Sequence, residues 1–287
     1  MVRSYESGLT IEADTFVDLQ THTHLSDGDW IPEALIDHFV QESFATAAIT
    51  DHDRVDTMVT IQKIAHERGF PLLVAAEMTT RWQNSLVDIL CFGFEANPAP
   101  LQQLCDAIQQ NQAETCTTVY KNLVNGGHLP QHNEAELTSI TTATTSKQPH
   151  LLFDLFERHN PALEDPFSIM QKAGHKLCTN PTLAVVEAVH EAGGVALIAH
   201  PGRTDGFATF DSQLLDQFRA EIPIDGIEVY YPRHSAEQVA LYKQYANEHD
   251  WLISAGSDSH ASDKPPIKYQ ASLCKRLLQR LDFVVSS

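Results

Sequence analysis

Long apolar runs are missing from this chain of 287 residues. No stretch approaches the roughly 20 apolar residues that a membrane-spanning helix needs, which excludes an integral helical membrane protein. Positive charge is scarce too. Nineteen Lys and Arg face 38 Asp and Glu, a formal net charge of -19. Phosphate backbones and anionic bilayers bind basic surfaces, so duplex nucleic acid and membrane are excluded as partners. A small phosphorylated substrate is not, because bound metal ions reverse the local field. The five cysteines, at 91, 105, 116, 178 and 274, form no CxxC pair and no zinc-finger spacing. That excludes a disulfide framework and leaves reduced, buried thiols. The first seven residues lack the apolar core of a signal peptide, and the expected location is the cytoplasm. No internal repeat is present, which argues against a repeat architecture.

Histidine is abundant, with 15 in the chain, and it is not scattered. An apolar run at residues 15–19 leads into Gln20-Thr21-His22-Thr23-His24-Leu25-Ser26-Asp27-Gly28. The pattern recurs at Thr46-Ala47-Ala48-Ile49-Thr50-Asp51-His52-Asp53, at Val195-Ala196-Leu197-Ile198-Ala199-His200-Pro201 and at Trp251-Leu252-Ile253-Ser254-Ala255-Gly256-Ser257-Asp258-Ser259-His260. Four strands that end in His or Asp describe a barrel whose strand ends converge on one polar site. Imidazole and carboxylate together suit zinc, manganese or iron. The pattern reads as a metal-dependent hydrolase.

Short apolar runs alternate with helix-like segments through the first ninety-odd residues, which implies parallel strands with crossover helices. Pro32 starts one helix, a second near residues 56–67 is closed by Gly69, and strands are expected at 71–76 and 86–94. The character changes after Asn97-Pro98-Ala99-Pro100. From there the chain is rich in Gln, Asn, Thr and Leu, with helices expected near 101–124, 151–157 and 167–173 and a polar loop at 138–146. The expected fold is therefore α/β: a barrel from residues 14–97 and 181–287, with a mainly helical insertion at 98–180 that caps the active-site mouth.

Six segments in order carry a resemblance to a known family. They are Ser26-Asp27-Gly28, Thr50-Asp51-His52-Asp53, Ala76-Glu77-Met78-Thr79, Ala199-His200-Pro201-Gly202-Arg203, Gly226-Ile227-Glu228-Val229-Tyr230-Tyr231-Pro232 and Gly256-Ser257-Asp258-Ser259-His260. The chain resembles the PHP (polymerase and histidinol phosphatase) superfamily, especially its stand-alone metal-dependent phosphoesterases. The resemblance implies a distorted (β/α)7 barrel with two to three divalent ions (Mn, Zn, Fe or Mg) at the strand ends. It implies that His22, Glu77 and Asp258 hold one ion and that Glu77 bridges to a second shared with His200. Asp27, His52 and His260 would hold a third. Two departures stand out. Gln20 occupies a position where the family has His, and an amide is a poor ligand for a borderline metal. His24 could compensate only by local rearrangement. Asp88 also stands where the family has His, and an oxygen donor shifts preference toward Mn²⁺ or Mg²⁺.

Other residues take plainer readings. Asp18 and Asp53 read as orienters of histidines, Asp51 as a turn residue, and Glu228 as a buffer around the site or a surface acid. Histidines 38, 66, 190 and 249 in helices, and 128, 132, 159 and 175 in the insertion, read as packing or surface groups. Arg203 and Arg233 are candidate substrate contacts, since arginine suits bidentate phosphate recognition, and the resemblance implies His150 as a third, because Lys147-Gln148-Pro149-His150 stands where the family has Gly-Arg-Pro-His. Asp258 and His260 are candidates for proton transfer, with Arg203 neutralising developing charge. The expected activity is hydrolysis of a phosphomonoester on a nucleotide or similar small metabolite, with short oligonucleotides as a second substrate class. A catalytically impaired PHP domain kept as a binding module is one alternative, and an amidohydrolase-type C–N hydrolase is another.

Overall fold

The computed structural model describes residues 4–95, 98–131 and 134–286; Asn97 and His132 lie outside them. The chain divides into two compact units, Met1–Gln103 with Asn180–Ser287, and Leu104–Thr179. The first unit opens with β1 (Leu9–Ile11), β2 (Phe16–Asp18), α1 (Pro32–Gln41), β3 (Phe44–Ala48) and α2 (Met58–Glu67). β4 (Leu72–Leu73), β5 (Ala75–Trp82) and β6 (Ser85–Phe92) follow. α3 (Ala99–Asn125) leads into the second unit, which holds α4 (Glu134–Thr141), α5 (Lys147–His159) and α6 (Pro166–Lys172). The first unit resumes with β7 (Asn180–Pro181), α7 (Thr182–Glu191), β8 (Val195–Ile198), α8 (Ser212–Glu221) and β9 (Gly226–Tyr230). It ends with α9 (Ala236–Glu248), β10 (Leu252–Ala255), β11 (Tyr269–Gln270), a 3-10 turn at Ala271–Cys274, α10 (Lys275–Arg280) and β12 (Phe283–Val285).

Local chemistry explains most of these boundaries. Pro32 sits in the first turn of α1, where its missing N–H costs nothing, and Leu35, Ile36 and Phe39 form the buried face. Gly69, at φ +64, stops α2, and the Phe70 N–H returns to the Ala65 carbonyl. Ser235 and Gln238 close a reciprocal capping box at the start of α9.

The first unit is mixed α/β, with a six-stranded ladder in the order β10-β9-β8-β6-β5-β7 and a four-stranded one in the order β11-β2-β3-β4. β6 corrects the expectation of parallel strands throughout. It runs antiparallel to both β5 and β8. Only Gln83 and Asn84 separate Trp82 from its partner Ser85, too few residues for a crossover, and Gln83 takes φ +52 to turn the hairpin. Backbone bonds tie the two ladders together at both sides. The Leu19 N–H reaches the Ala255 carbonyl at 2.9 Å and Thr21 bridges Ser259, while the Glu77 N–H reaches the Thr50 carbonyl at 3.1 Å. Val17, Leu19, Leu90, Phe92, Leu197 and Ala255 share one apolar core with Leu277 and Leu278 of α10.

Gly226 at the start of β9 leaves no room for a side chain. A Cβ there would stand 2.3 Å from the backbone oxygen of Leu252 on the neighbouring strand. Gly226→Ala is therefore expected to cost about 1–3 kcal/mol through a forced strand shift. A thermal melt would read it as a loss of roughly 2–4 °C per kcal/mol, and an unchanged melting temperature would refute the steric account.

The second unit packs Val119, Leu123, Leu152, Leu155, Phe156 and Met170 into a core of its own. The polar loop expected at 138–146 is partly helix, because α4 runs to Thr141. Thr138, Thr141 and Thr142 return their hydroxyls to carbonyls one turn earlier, which lets threonine sit in a helix without competing for it. His150 lies in the first turn of α5 with its side chain exposed, and His175 is occupied by the Pro149 carbonyl at 2.9 Å. Among the described residues no helix is long and apolar enough to cross a membrane.

Candidate metal centre

Residues from six segments of the first unit meet at the strand ends. Gln20, His22 and Asp27 follow β2; His52 follows β3; Glu77 and Asp88 stand on β5 and β6; His200 follows β8; Asp258 and His260 follow β10. The loops that present them are held by buried carboxylates. Asp51 accepts the Thr23 N–H, the Thr23 hydroxyl and the Ser26 hydroxyl, each at 2.7 Å, and so sets the turn that carries Asp27. Asp53 accepts the Thr79 N–H at 2.9 Å, joining the His52 loop to β5. Asp18 accepts the N–H groups of Ser257 at 3.0 Å and Ile267 at 2.8 Å, fixing the segment that bears Asp258. Asp18 and Asp53 thus position backbone, and neither makes a hydrogen bond to a histidine ring among these contacts. Three presenting residues, Asp53 (φ +53), His200 (φ +30) and Asp258 (φ +57), sit in the left-handed region. That conformation costs a side-chain-bearing residue of order 1 kcal/mol or more, and such strain gathers at functional sites.

The side chains converge tightly. His22 Nε2 lies 3.1 Å from Glu77 Oε2 and 3.1 Å from Asp258 Oδ1. Glu77 Oε1 lies 2.9 Å from His200 Nε2, which is 3.7 Å from Asp88 Oδ2. Asp27 faces His52 at 3.9 Å and His260 at 3.5 Å. The His22 ring stacks on both His52 and His260, at centroid distances of 4.8 and 4.2 Å. Three sets of donor atoms lie within ion-binding reach of one another: His22, Asp27, His52 and His260; His22, Glu77 and Asp258; His52, Glu77 and Asp88.

Part of this cluster is left without hydrogen bonds, although His200 Nε2 and Glu77 Oε1 lie within hydrogen-bond distance at 2.9 Å. Both ring nitrogens of His22, Nδ1 of His200 and Oδ1 of Asp88 are buried with no hydrogen-bond partner. Buried polar atoms left unpaired are costly, and a bound ion would offset that cost where it meets them. Charge follows the same geometry. Burial pushes the Glu77 carboxyl up, but His52, His200 and His22 around it hold it well below the usual range. Burial opposes ionisation of Asp27 as well, and the facing His52 and His260 keep it strongly depressed. Asp88 goes the other way: burial and the Glu77 charge raise it well above an ordinary aspartate.

Several positions differ from the sequence expectations. Gln20 is fully buried and donates its amide to Glu77 Oε2 at 2.8 Å, with its own Oε1 unpartnered. His24 is exposed, with Nδ1 3.3 Å from the Trp30 carbonyl, and does not join the cluster. Glu228 is fully buried rather than a surface acid. It accepts the His200 N–H at 2.9 Å, and burial raises its carboxyl well above the ordinary value. Tyr231 was quoted in a motif without a role; its hydroxyl lies 3.4 Å from Asp258 Oδ2. Strand alternation alone would have put Gly226, Glu228 and Tyr230 on one face, the signal available for Glu228. Arg203 forms a bidentate pair with Asp205, both bonds 2.9 Å, and its guanidinium lies 4.0 Å over the Phe207 ring. Arg233 approaches the same Asp205 at 3.5 Å, so one carboxylate gathers both arginines.

No family model matches the chain. It is 27% identical over 255 residues to the 3',5'-nucleoside bisphosphate phosphatase of Chromobacterium violaceum, covering 85% of this chain and 87% of that protein. It is 26% identical over 250 residues to the 5'-3' exoribonuclease Rnm of Salmonella typhimurium, covering 85% and 84%. Among solved structures, a candidate metal-dependent phosphoesterase from Bifidobacterium adolescentis superposes with a TM-score of 0.72 at 23% identity, over 94% of this chain and 98% of that one. A two-domain protein from Bacteroides vulgatus that contains a predicted PHP-like metal-dependent phosphoesterase superposes with a TM-score of 0.50 at 11% identity, over 96% and 66%. In sequence the chain is similar to a nucleoside bisphosphate phosphatase and an exoribonuclease, and in fold it is similar to PHP-like metal-dependent phosphoesterases.

Proposed function

We propose that the chain hydrolyses a phosphomonoester of a nucleotide or similar small phosphorylated metabolite, with two or three divalent ions held in the centre described above. The observation that carries this reading is the convergence of buried, unpartnered nitrogen and oxygen donors in three overlapping sets. Such donors fit divalent cations, which satisfy atoms that no protein group satisfies. His22, Glu77 and Asp258 would form one ligand set and Asp27, His52 and His260 another; Glu77 and Asp88 would hold a further ion with His52, which lies within reach of both, or with His200, whose Nε2 is 2.9 Å from Glu77 and 3.7 Å from Asp88. The carboxylate share of the set favours Mn²⁺ or Mg²⁺, while the imidazoles keep Zn²⁺ and Fe²⁺ in contention. Ions bound there would supply Lewis acidity toward the phosphoryl oxygens and lower the pKa of an attacking water.

The chain's own groups supply the rest. His260, with its side chain 35% exposed against 0% for His22, is the imidazole open to solvent and substrate. It is suited to pass a proton to the leaving oxygen, with Asp258 beside it. Arg203 and Arg233, preorganised by Asp205, would receive the phosphate through guanidinium forks. A nucleotide substrate is supported by the relatives, one named for nucleoside bisphosphates and others for exoribonuclease activity. Short oligonucleotides are therefore the second substrate class. The bonds joining the ladders at both sides support a distorted (β/α)7 barrel as the scaffold.

The test is phosphate release, with Mn²⁺, from a nucleoside 3',5'-bisphosphate, nucleoside monophosphates and an aryl phosphate. Release from the nucleotides above the aryl phosphate is expected. No release from any of them with Mn²⁺ bound would overturn the assignment in favour of another hydrolytic substrate, and no release with no Mn²⁺ bound would favour a domain kept for binding.

Gln20 makes a separate prediction about metal affinity. Its amide occupies one oxygen of Glu77 and offers no imidazole. Gln20→His frees that oxygen and adds a nitrogen donor, so Zn²⁺ affinity should rise about tenfold, equivalent to ~1.4 kcal/mol. Competition against a chromogenic chelator reads this directly. An unchanged affinity would mean that the position faces no ion.

A further inference from the structure

We propose that the first unit carries a second ligand site, away from the metal cluster, for a small anion bearing a flat ring, of the nucleoside monophosphate class. A cavity of about 230 Å³ opens beside α9, β10 and the turn into α10, and it shares no residue with the metal cluster. Its lining holds three cations, Lys243, Lys275 and Arg276, and no carboxylate. In a chain where acids outnumber bases 38 to 19, that local reversal is notable for its sign. Arg276 is spent on its neighbour, with its guanidinium 2.9 Å from the Asp250 carboxylate. Lys243 and Lys275 line the same cavity and have no ion pair among the described residues.

The rest of the lining suits a ring. Half-buried Tyr230 and the small exposed part of Trp251, 6% in all, supply aromatic surface, and Ile253 and Leu273 supply apolar surface. Trp251 is held in place by Tyr245, whose ring meets it edge-on at 5.2 Å, so this wall is preformed. Lys243 shares one face of α9 with Asn247, four residues on, which adds an amide able to donate to and accept from a base or sugar. An aromatic wall, apolar contacts and a few convergent polar groups are the usual composition of a small-molecule site. Phosphate on the lysines with a ring against Tyr230, next to the exposed part of Trp251, uses all of these features together. Inorganic phosphate would use only the lysines, and adenosine only the walls.

The test follows the indole ¹⁵N–¹H resonance of Trp251 in the Mg²⁺-loaded protein, assigned with Trp251→Phe. The probe is the non-hydrolysable 5'-methylenephosphonate analogue of AMP, which the metal centre cannot consume. A saturable shift is expected, weakened about tenfold or more in Lys243→Glu/Lys275→Glu, because two charge-assisted contacts are lost. Both lysines lie at the surface rim, so the fold should survive their exchange, and circular dichroism checks this. Adenosine and inorganic phosphate should each need at least about tenfold higher concentration. No saturable shift, or an equal affinity in the double variant, would overturn the site. Phosphate binding as tightly as the analogue would overturn the ring-bearing ligand class.

Discussion

Asp258→Ala is expected to lower phosphate release by about 10³-fold or more in the metal-loaded protein, a barrier increase of ~4 kcal/mol. Asp258 has three attachments in the centre. Its Oδ1 stands 3.1 Å from His22 Nε2 and 3.7 Å from His260 Nδ1, and its Oδ2 lies 3.4 Å from the Tyr231 hydroxyl. Removing the carboxylate deletes a charged donor from one ligand set and the neighbour that orients the proton donor. Its backbone is already strained at φ +57, and alanine keeps that strain without its purpose. The measurement is steady-state phosphate release beside metal content by mass spectrometry. Full activity in the variant would end the phosphoesterase assignment as drawn. Loss of activity with metal retained would place the role of Asp258 in proton transfer, and loss of both would place it in ion binding.

The second large effect is on stability. Asp27, Glu77, Asp88, Asp258 and Glu228 bring five carboxyl groups into or against one buried cluster. Burial and mutual repulsion raise Asp88 and Glu228 well above ordinary carboxyls, so without an added cation these two groups favour the protonated form, and a bound cation would favour their ionised form. An ion that binds only the folded chain stabilises it by ~2.7 kcal/mol at a hundredfold excess over its dissociation constant. At roughly 2–4 °C per kcal/mol, Mn²⁺ should raise the melting temperature by about 5–10 °C, and a chelator should reverse the gain. Asp258→Ala should remove at least half of the Mn²⁺-induced rise. Identical melting curves with Mn²⁺ and with chelator would refute ion binding at this centre, whatever the activity.

Much of this protein was legible because its signals are local. His22, His52, His200 and His260 each follow a short apolar strand, and that placement needs only the two-residue periodicity of a strand and a turn beyond it. Pro32 and Gly69 mark helix ends for reasons confined to single residues. Identity and position along a strand end determine which side chains can meet. The grouping of Glu77 and Asp88 with those histidines came instead from the family resemblance, since both stand inside strands and carry no strand-end signal.

What the sequence could not determine depends on groups far apart in the chain. β6 looks like any buried strand, and its antiparallel direction follows from a two-residue turn and from pairing with β8 a hundred residues later. Asp18 and Asp53 carry no mark of the backbone N–H groups they hold, because Ser257, Ile267 and Thr79 arrive only on folding. The same is true of Gln20 reaching Glu77, of Glu228 buried under His200, and of Asp205 drawing two arginines together. The sequence by itself determined the ingredients of the centre and the strands that present them. The tertiary structure alone decided hydrogen-bond partners, burial and charge state, since each is set by distances between segments that local propensity does not encode.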